Sequence, residues 1–190
     1  QDDHSSVKYK EGDFEKFVIQ CKNNSKILLF SSMGKFYTIN CSKISSGRSF
    51  GDPLSIFIDK SDNEEIVFAR LYEDNQDYLL ASSAGKGFFV NSNDLIASTK
   101  SGRKVMNLKP QDRSVSCCDK IGDSIAVFSG EKKSVKLLVF KDSEIPFLQK
   151  GRGVILQKFK SGKTYSAFCI DMNEGLKHSK FPKTLLKPKE

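Results

Sequence analysis

The chain has 190 residues, with 31 Lys and Arg against 23 Asp and Glu, a formal net charge of +8 at pH 7. A hydrophobic fraction of 38%, including 15 phenylalanines, is enough to fill the core of one domain. No apolar run approaches the roughly 18 residues of a membrane-spanning helix, and the polar first residues lack the apolar stretch of a signal peptide.

The first predicted strands lie around VKYK at 7–10 and FEKFVIQC at 14–21. They have the form of the second half of a repeat unit whose first half would precede Gln1. We therefore expect residues 1–25 to be a partial unit.

The next segment is a β-hairpin that occurs twice. ILLFSSMGKFYTIN at 27–40 aligns with YLLASSAGKGFFVN at 78–91, a shift of 51 residues. Each copy is an apolar run, a Ser-Ser-x-Gly turn and a second run of β-branched and aromatic residues, and glycine at the turn permits a positive φ. A degenerate third copy, SIAVFSGEKKSVKLLVF, occupies 124–140 with an expanded turn.

A Gly-Arg pair follows each hairpin after a short polar connection. The pairs are Gly47-Arg48, Gly102-Arg103 and Gly151-Arg152, 55 and 49 residues apart. Each opens an apolar run, LSIFI at 54–58, VMNL at 105–108 and VILQKF at 154–159, and a further predicted strand follows, EEIVFARLY, SVSCC or TYSAFCI. The pairs are therefore predicted to occupy equivalent corners of the repeat.

The unit is thus about four strands in about 50 residues, the size of a propeller blade. We predict an all-β fold of about four blades in an open or broken ring. One domain covers residues 1–172, with units at about 26–76, 77–122 and 123–172, and residues 173–190 are a C-terminal extension with two prolines and five lysines.

Five cysteines are present, an odd number without a CxxC pair: Cys21, Cys41, Cys117, Cys118 and Cys169. Such cysteines mostly behave as small buried hydrophobes, and no zinc site is expected. We therefore expect a reducing, cytoplasmic location.

Catalytic patterns are missing from the sequence. His4 and His178 lie in the terminal segments, outside the repeats, so no nucleophile system built on histidine is supported. SGKT at 161–164 resembles the end of a phosphate-binding loop, but Gln157 stands where that loop needs glycine. We interpret it as a basic hairpin turn, and we expect no catalytic residue and no metal site.

The positive charge is concentrated in one stretch. Residues 1–85 hold 10 Lys and Arg against 13 Asp and Glu, a net of −3, whereas residues 86–163 hold 16 against 7, a net of +9. A basic surface of this kind suits a polyanion, because neutralising phosphates releases counterions. A basic surface without a ligand is the alternative, and charge alone does not decide between the two.

The ordered elements resemble the C-terminal domain of type II topoisomerase A subunits. The likeness rests on LLFSSMGKFYTIN followed by SSGRSFGDPLSIFID, on LLASSAGKGFFV followed by SGRKVMNLKP, and on FKDSEIPFLQKGRGVILQKFKSG, over about residues 7–175. The resemblance is stronger to the topoisomerase IV branch than to gyrase, because SSGRSFG at 45–51 stands where gyrase-type domains carry a QRRGGKG-like heptapeptide.

This resemblance implies a β-pinwheel whose blades exchange strands and whose basic rim binds and bends double-stranded DNA. It implies a non-catalytic domain of an ATP-dependent isomerase that decatenates and relaxes DNA. The B subunit of that enzyme, together with the catalytic core of the same polypeptide, would be its partners. No cofactor is expected in the domain itself, while ATP and Mg²⁺ are implied for the full enzyme.

The rim cations are predicted from the repeat and from local charge. Arg48, Arg103 and Arg152 are expected at equivalent positions, joined by the turn residues Lys35 and Lys86, and five further candidates are Lys100, Lys104, Lys132, Lys133 and Lys150. For each arginine the alternative is a carboxylate or carbonyl partner that fixes a blade corner. For the whole domain the alternatives are gyrase-type DNA wrapping, a protein-interaction propeller and a structural domain held against the catalytic core.

Overall fold

The computed structural model describes residues 12, 14–45, 51–131 and 134–172, and this part of the chain is all β apart from four short 3-10 turns. The strands are β1 (Lys26–Ser31), β2 (Lys35–Asn40), β3 (Ile66–Leu71), β4 (Asp77–Ser82), β5 (Lys86–Asn91), β6 (Arg103–Lys104), β7 (Ser114–Asp119), β8 (Ser124–Glu131), β9 (Ser134–Lys141), β10 (Val154–Ile155) and β11 (Lys163–Ile170). The predicted all-β class is confirmed.

The strands form three antiparallel sheets that share strands between units. Their orders are β3-β1-β2-β6, β10-β5-β4-β7 and β11-β8-β9. The short strand β6 belongs to the second unit but pairs with β2 of the first, and β10 of the third unit pairs with β5 of the second. Each of these two units therefore supplies a hairpin and an inner strand to its own sheet and an outer edge strand to the preceding one. This open arrangement is the predicted pinwheel architecture, with three sheets among the described residues where about four blades were predicted.

Hairpin turns receive the strand that crosses from the next unit. The backbone N–H groups of Val105 and Met106 donate to the Gly34 carbonyl, at 2.9 and 3.0 Å. At the second turn, Leu156 and Gln157 donate to the Gly85 carbonyl, at 2.8 and 3.4 Å. The two turn glycines have φ values of +77° and +72°. A Cβ atom at either position would also collide with the crossing backbone. Glycine is therefore needed both for the positive φ and for the close approach.

The same contacts correct the predicted alignment of the Gly-Arg pairs. Gly102 and Gly153, which precede the crossing strands, have φ values of +75° and +73°. Arg103 is opposite Phe36 of the first unit. Val154 is opposite Gly87, which lies 51 residues after Phe36 and is its counterpart in the second unit. Val154, and not Arg152, therefore occupies the place of Arg103. The prediction was wrong because Arg152 lies between two glycines, and the second of them forms the corner.

Two further expectations are corrected. Residues 14–21, predicted as a strand, have no strand structure, since no sheet edge in the described part of the chain pairs with them. The run at 54–58 contains a 3-10 turn, Leu54–Ile56, which follows Pro53. VKYK at 7–10 and the extension at 173–190 lie outside the described residues.

The two larger of four hydrophobic clusters among the described residues lie on either side of the middle sheet. Tyr78 and Leu80 of β4 pack towards the first sheet, in a cluster that contains Phe30 and Met106. Their alternate neighbours Leu79 and Ala81 pack towards the third sheet, in a cluster that includes Leu156. Because both faces of β4 are buried, its sequence is a continuous apolar run.

Inner strands of adjacent sheets contact one another at the centre of the array. Arg70 of β3 forms an ion pair with Asp119 of β7. The Ala167 N–H of β11 donates to Ser116 Oγ of β7 at 2.8 Å. The crossing strands β6 and β10 are at the opposite edges of their sheets, so they form the periphery.

A buried carboxylate ties the first hairpin to the loop before β3. The Tyr37 hydroxyl donates to Glu64 Oε1 at 2.9 Å, and the Ser61 N–H donates to Oε2 at 3.2 Å. Burial raises the pKa of Glu64, but hydrogen bonds from Ser31, Ser61 and Tyr37 and the charge of Lys35 outweigh it and hold the pKa below its ordinary value of 4.5.

The cysteines follow the expectation in part. Cys41 and Cys169 are buried, Cys117 and Cys118 are half-buried, and Cys21 is exposed on the segment that forms no strand. Burial raises the pKa of Cys41 to about 11. A buried thiol of this kind is a poor nucleophile, because the reactive thiolate is scarce at neutral pH.

We predict that Met106→Ala lowers the free energy of unfolding by about 2–5 kcal/mol, because this side chain of the crossing segment is fully buried between two sheets. Urea denaturation measures the change. Val135→Ala is the control, since Val135 is 52% exposed and should change stability by less than about 0.5 kcal/mol. Equal effects of the two substitutions would contradict a core role for the crossing segment.

We predict that acid destabilises the chain in part through Glu64. A folded-state pKa below the unfolded value of 4.5 gives stability that is present above that pH and lost as the pH falls through the folded pKa. Glu64→Gln should therefore lower stability at pH 7 and flatten the decline of stability below pH 4.5, as followed by urea denaturation across pH. Parallel pH profiles for the two proteins would contradict this.

Candidate nucleic-acid interface

The outer rim consists of β6 and β10 together with the residues that they pair with, Lys35 and Phe36 of β2 and Lys86 and Gly87 of β5. The chain reaches this periphery because the positive-φ glycines at 102 and 153 turn it onto the edge of the preceding sheet. Sequence alone does not mark these two-residue strands, since they are too short to show alternation.

On the first sheet, the rim is cationic. Arg103 and Lys104 are both exposed, and Lys104 is directly opposite Lys35. Like charges facing each other across strands destabilise a sheet. A bound anion would remove that repulsion.

Arg103 and Lys104 form no ion pair in the described part of the chain. Its three ion pairs are Arg70–Asp119, Lys120–Asp142 and Lys141–Asp123. Arg103 and Arg152 are exposed and donate to no carboxylate or carbonyl among the described residues. The alternative that they fix blade corners is therefore not supported.

Lys35 differs from the other candidates. Its Nζ is 5.9 Å from the centroid of the Tyr37 ring, and its charge contributes to the low pKa of buried Glu64. Part of its charge is thus compensated inside the first unit. Lys86, at the same place in the second unit, is half-buried and is opposite the uncharged Ile155.

The remaining predicted cations fall on loops or outside the described residues. Lys100 precedes the corner at Gly102, and its carbonyl accepts the Asp59 N–H at 2.8 Å, while Lys150 is exposed in the corresponding loop of the third unit. Arg48, Lys132 and Lys133 lie outside the described residues.

Sequence reasoning missed the return loops, the segments that run from the rim back to the inner strands. They are residues 59–65, 107–113 and 157–163. The first two are structurally equivalent, because the Ser32 N–H donates to the Glu65 carbonyl at 2.7 Å and the Ser83 N–H to the Arg113 carbonyl at 2.8 Å. A glutamate and an arginine thus occupy the same place in the fold.

The net charge of the return loops rises from each loop to the next. The first holds one Lys against four Asp and Glu, a net of −3, the second holds two Lys and Arg against one Asp, a net of +1, and the third holds three Lys and no acid, a net of +3. In the third, Lys158 and Lys160 join Lys136 of β9 around an open cleft of about 540 Å³. In the sequence, the KFKSGK run at 158–163 is the feature from which this cluster of lysines could have been predicted.

Two classes of site are not found among the described residues. No group of His, Cys, Asp and Glu there is arranged to hold a metal ion. No helix in this part of the chain is long and apolar enough to cross a membrane. Exposed cations among the described residues lie at the edge of the first sheet and in the later return loops.

Comparison with known proteins gives several matches by sequence. The chain is 43% identical over 174 residues to the A subunit of DNA topoisomerase 4 from Rickettsia bellii and 33% identical over 174 residues to that from Caulobacter vibrioides, each over 92% of the chain. It spans 23% and 22% of the length of these relatives. No family model matches the chain.

Solved structures share the fold. The E. coli ParC C-terminal domain aligns with a TM-score of 0.79 at 23% identity, over 90% of this chain and 72% of that one. A DNA gyrase A C-terminal domain aligns with a TM-score of 0.57 at 20% identity, over 77% of this chain and 48% of that one. The predicted resemblance is confirmed: the chain is related by sequence to the A subunits of topoisomerase IV and has the fold of the C-terminal domains found in type II topoisomerase A subunits.

Proposed function

We propose that the chain is the DNA-binding and DNA-bending domain of a topoisomerase IV A subunit, without a catalytic residue of its own. Duplex DNA would lie along the outer rim and the return loops, held by phosphate contacts. In the complete enzyme this would help ATP-dependent decatenation and relaxation of DNA.

One observation carries this proposal: equivalent return loops of one scaffold hold opposite charge. The same backbone position holds Glu65 in one unit and Arg113 in the next, so the scaffold does not require a cation there. In the second unit the Arg113 guanidinium also donates to the Pro110 and Asp112 carbonyls of its own loop. The cations of the second and third return loops form no ion pair with a described residue, and their accumulation there points to an external polyanion.

The geometry suits binding without sequence reading. Phosphate contacts fix the position of a duplex and carry no base information. The crossing strands hold adjacent units together, so one duplex would contact cations of successive units. Bending the duplex to follow them would cost about 1–6 kcal/mol for a short site, which the phosphate contacts must offset.

We further propose that the domain acts beside the catalytic core of its own polypeptide, with the B subunit in the assembled enzyme, in the bacterial cytoplasm. ATP and Mg²⁺ would act in those other parts. Gyrase-type wrapping is less well supported, since SSGRSFG at 45–51 keeps only one arginine and two glycines of the QRRGGKG-like heptapeptide that gyrase-type domains carry.

We predict that Lys158→Gln with Lys160→Gln weakens binding to duplex DNA and reduces the slope of log K against log salt by about 1–2, since each lost phosphate contact removes about 0.9 from the slope. Arg103→Gln with Lys104→Gln should act in the same direction. Titrations of a short duplex at several salt concentrations measure both.

Lys16→Gln with Lys22→Gln is the matched control, because it removes the same charge from exposed lysines of the N-terminal segment, away from the outer rim. It should leave the slope unchanged. Equal slopes for all variants would contradict the proposal. Failure of the wild-type chain to bind duplex at low salt would favour the protein-interaction alternative.

A further inference from the structure

On the second sheet, the outer rim is apolar where the first is cationic. Val154 and Ile155 of β10 take the places that Arg103 and Lys104 have in β6. The register confirms this, since Ile155 is opposite Lys86 and Lys104 is opposite Lys35, the same turn position 51 residues earlier.

These two side chains face outward. Ile155 is 51% exposed and Val154 is 37% exposed. Leu156, the next residue, is buried in the core beside Phe89 and anchors the crossing segment. Packing of the fold therefore uses Leu156 and leaves Val154 and Ile155 at the surface.

Phe147 extends the apolar surface along the same edge of β5. It is 54% exposed and bridges to Phe89, with the two ring centroids 5.3 Å apart. We name Phe147, Val154 and Ile155 the apolar strip. It runs beside the positions from Lys86 to Phe89, about 10 Å of strand.

Cations surround the apolar strip. Lys150, Arg152 and Lys158 flank it in the chain and are exposed, and Lys86 is across from Ile155. The cores of protein interfaces are depleted in lysine and cover about 800 Å² on each partner, so three side chains among cations fit that use poorly. Proteins that bend DNA through the minor groove insert branched apolar side chains between base steps while cations hold the adjacent phosphates.

We propose that β10, with the side chains of Val154 and Ile155 on its two faces, forms a wedge that contacts the minor groove of the bound duplex and opens one base step, so that the bend is centred on the second sheet. This inference rests on the proposed function and goes beyond phosphate binding. About 10 Å of strip covers about three base steps at 3.4 Å each. The wedge would favour TA and CA steps, which unstack more readily than A-tracts.

The test is Val154→Thr with Ile155→Thr, which keeps the branched shape and strand propensity but makes both side chains polar. Two short duplexes serve as probes, one with a central TA step and one with a central A-tract, each carrying a fluorophore pair at its ends. Wild-type chain should bind the TA duplex several-fold more tightly and bend it by at least about 20°. The variant should lose the preference and most of the bend while keeping the salt slope, because no charge is removed.

Val135→Thr with Val139→Thr is the matched control, since these exposed residues of β9 undergo the same change away from the apolar strip. It should retain the preference and the bend. A second variant, Val154→Arg with Ile155→Lys, gives the outer rim of the second sheet the same residue types as that of the first sheet. It should bind more tightly with a steeper salt slope and still lose the TA preference.

Retention of both preference and bend by the threonine variant would overturn the wedge and leave the proposed function intact. The same holds if the Arg and Lys variant keeps the TA preference. Failure of the wild-type chain to bind either duplex at low salt would overturn the proposed function and the wedge together.

Discussion

The structure depends on one recurring contact, in which a hairpin-turn carbonyl accepts two backbone N–H groups from the next unit. Gly34 accepts from Val105 and Met106, and Gly85 accepts from Leu156 and Gln157. Glycine at the turn gives the crossing backbone room to approach. Since each unit thereby completes the core of its predecessor, the array behaves as a chain of nearest-neighbour interfaces and not as separate blades.

The same contact determines what the periphery presents. A crossing segment that buries Met106 or Leu156 must leave the residues before it at the edge of the preceding sheet. Those edge residues are under little constraint from packing. They differ between units, as Arg103 and Lys104 in one and Val154 and Ile155 in the next. The proposed DNA path uses this freedom, with phosphate contacts where the edge is charged and a base-step contact where it is apolar.

Much of the fold could be predicted from sequence, because the hairpins at 27–40 and 78–91 repeat both their apolar pattern and their turn glycine. The corner could not be placed, since Gly151-Arg152-Gly153 offers two glycines and only the structure shows which has the positive φ. Residues 14–21 contain Phe, Val and Ile, which favour strands, but a strand needs a partner edge. The total charge of the later units was visible in the sequence. Its concentration at Lys158 and Lys160 depends on where the return loop lies.

The central claim is that bound DNA lies along the outer rim and the second and third return loops and avoids the acidic first return loop. Lysine acetylation of the 190-residue chain, with and without a short duplex and read by mass spectrometry, tests this most directly. The account predicts that DNA protects Lys104, Lys158 and Lys160 and leaves Lys22 and Lys60 as reactive as in the free chain. Equal protection of Lys60 and Lys160 would contradict it.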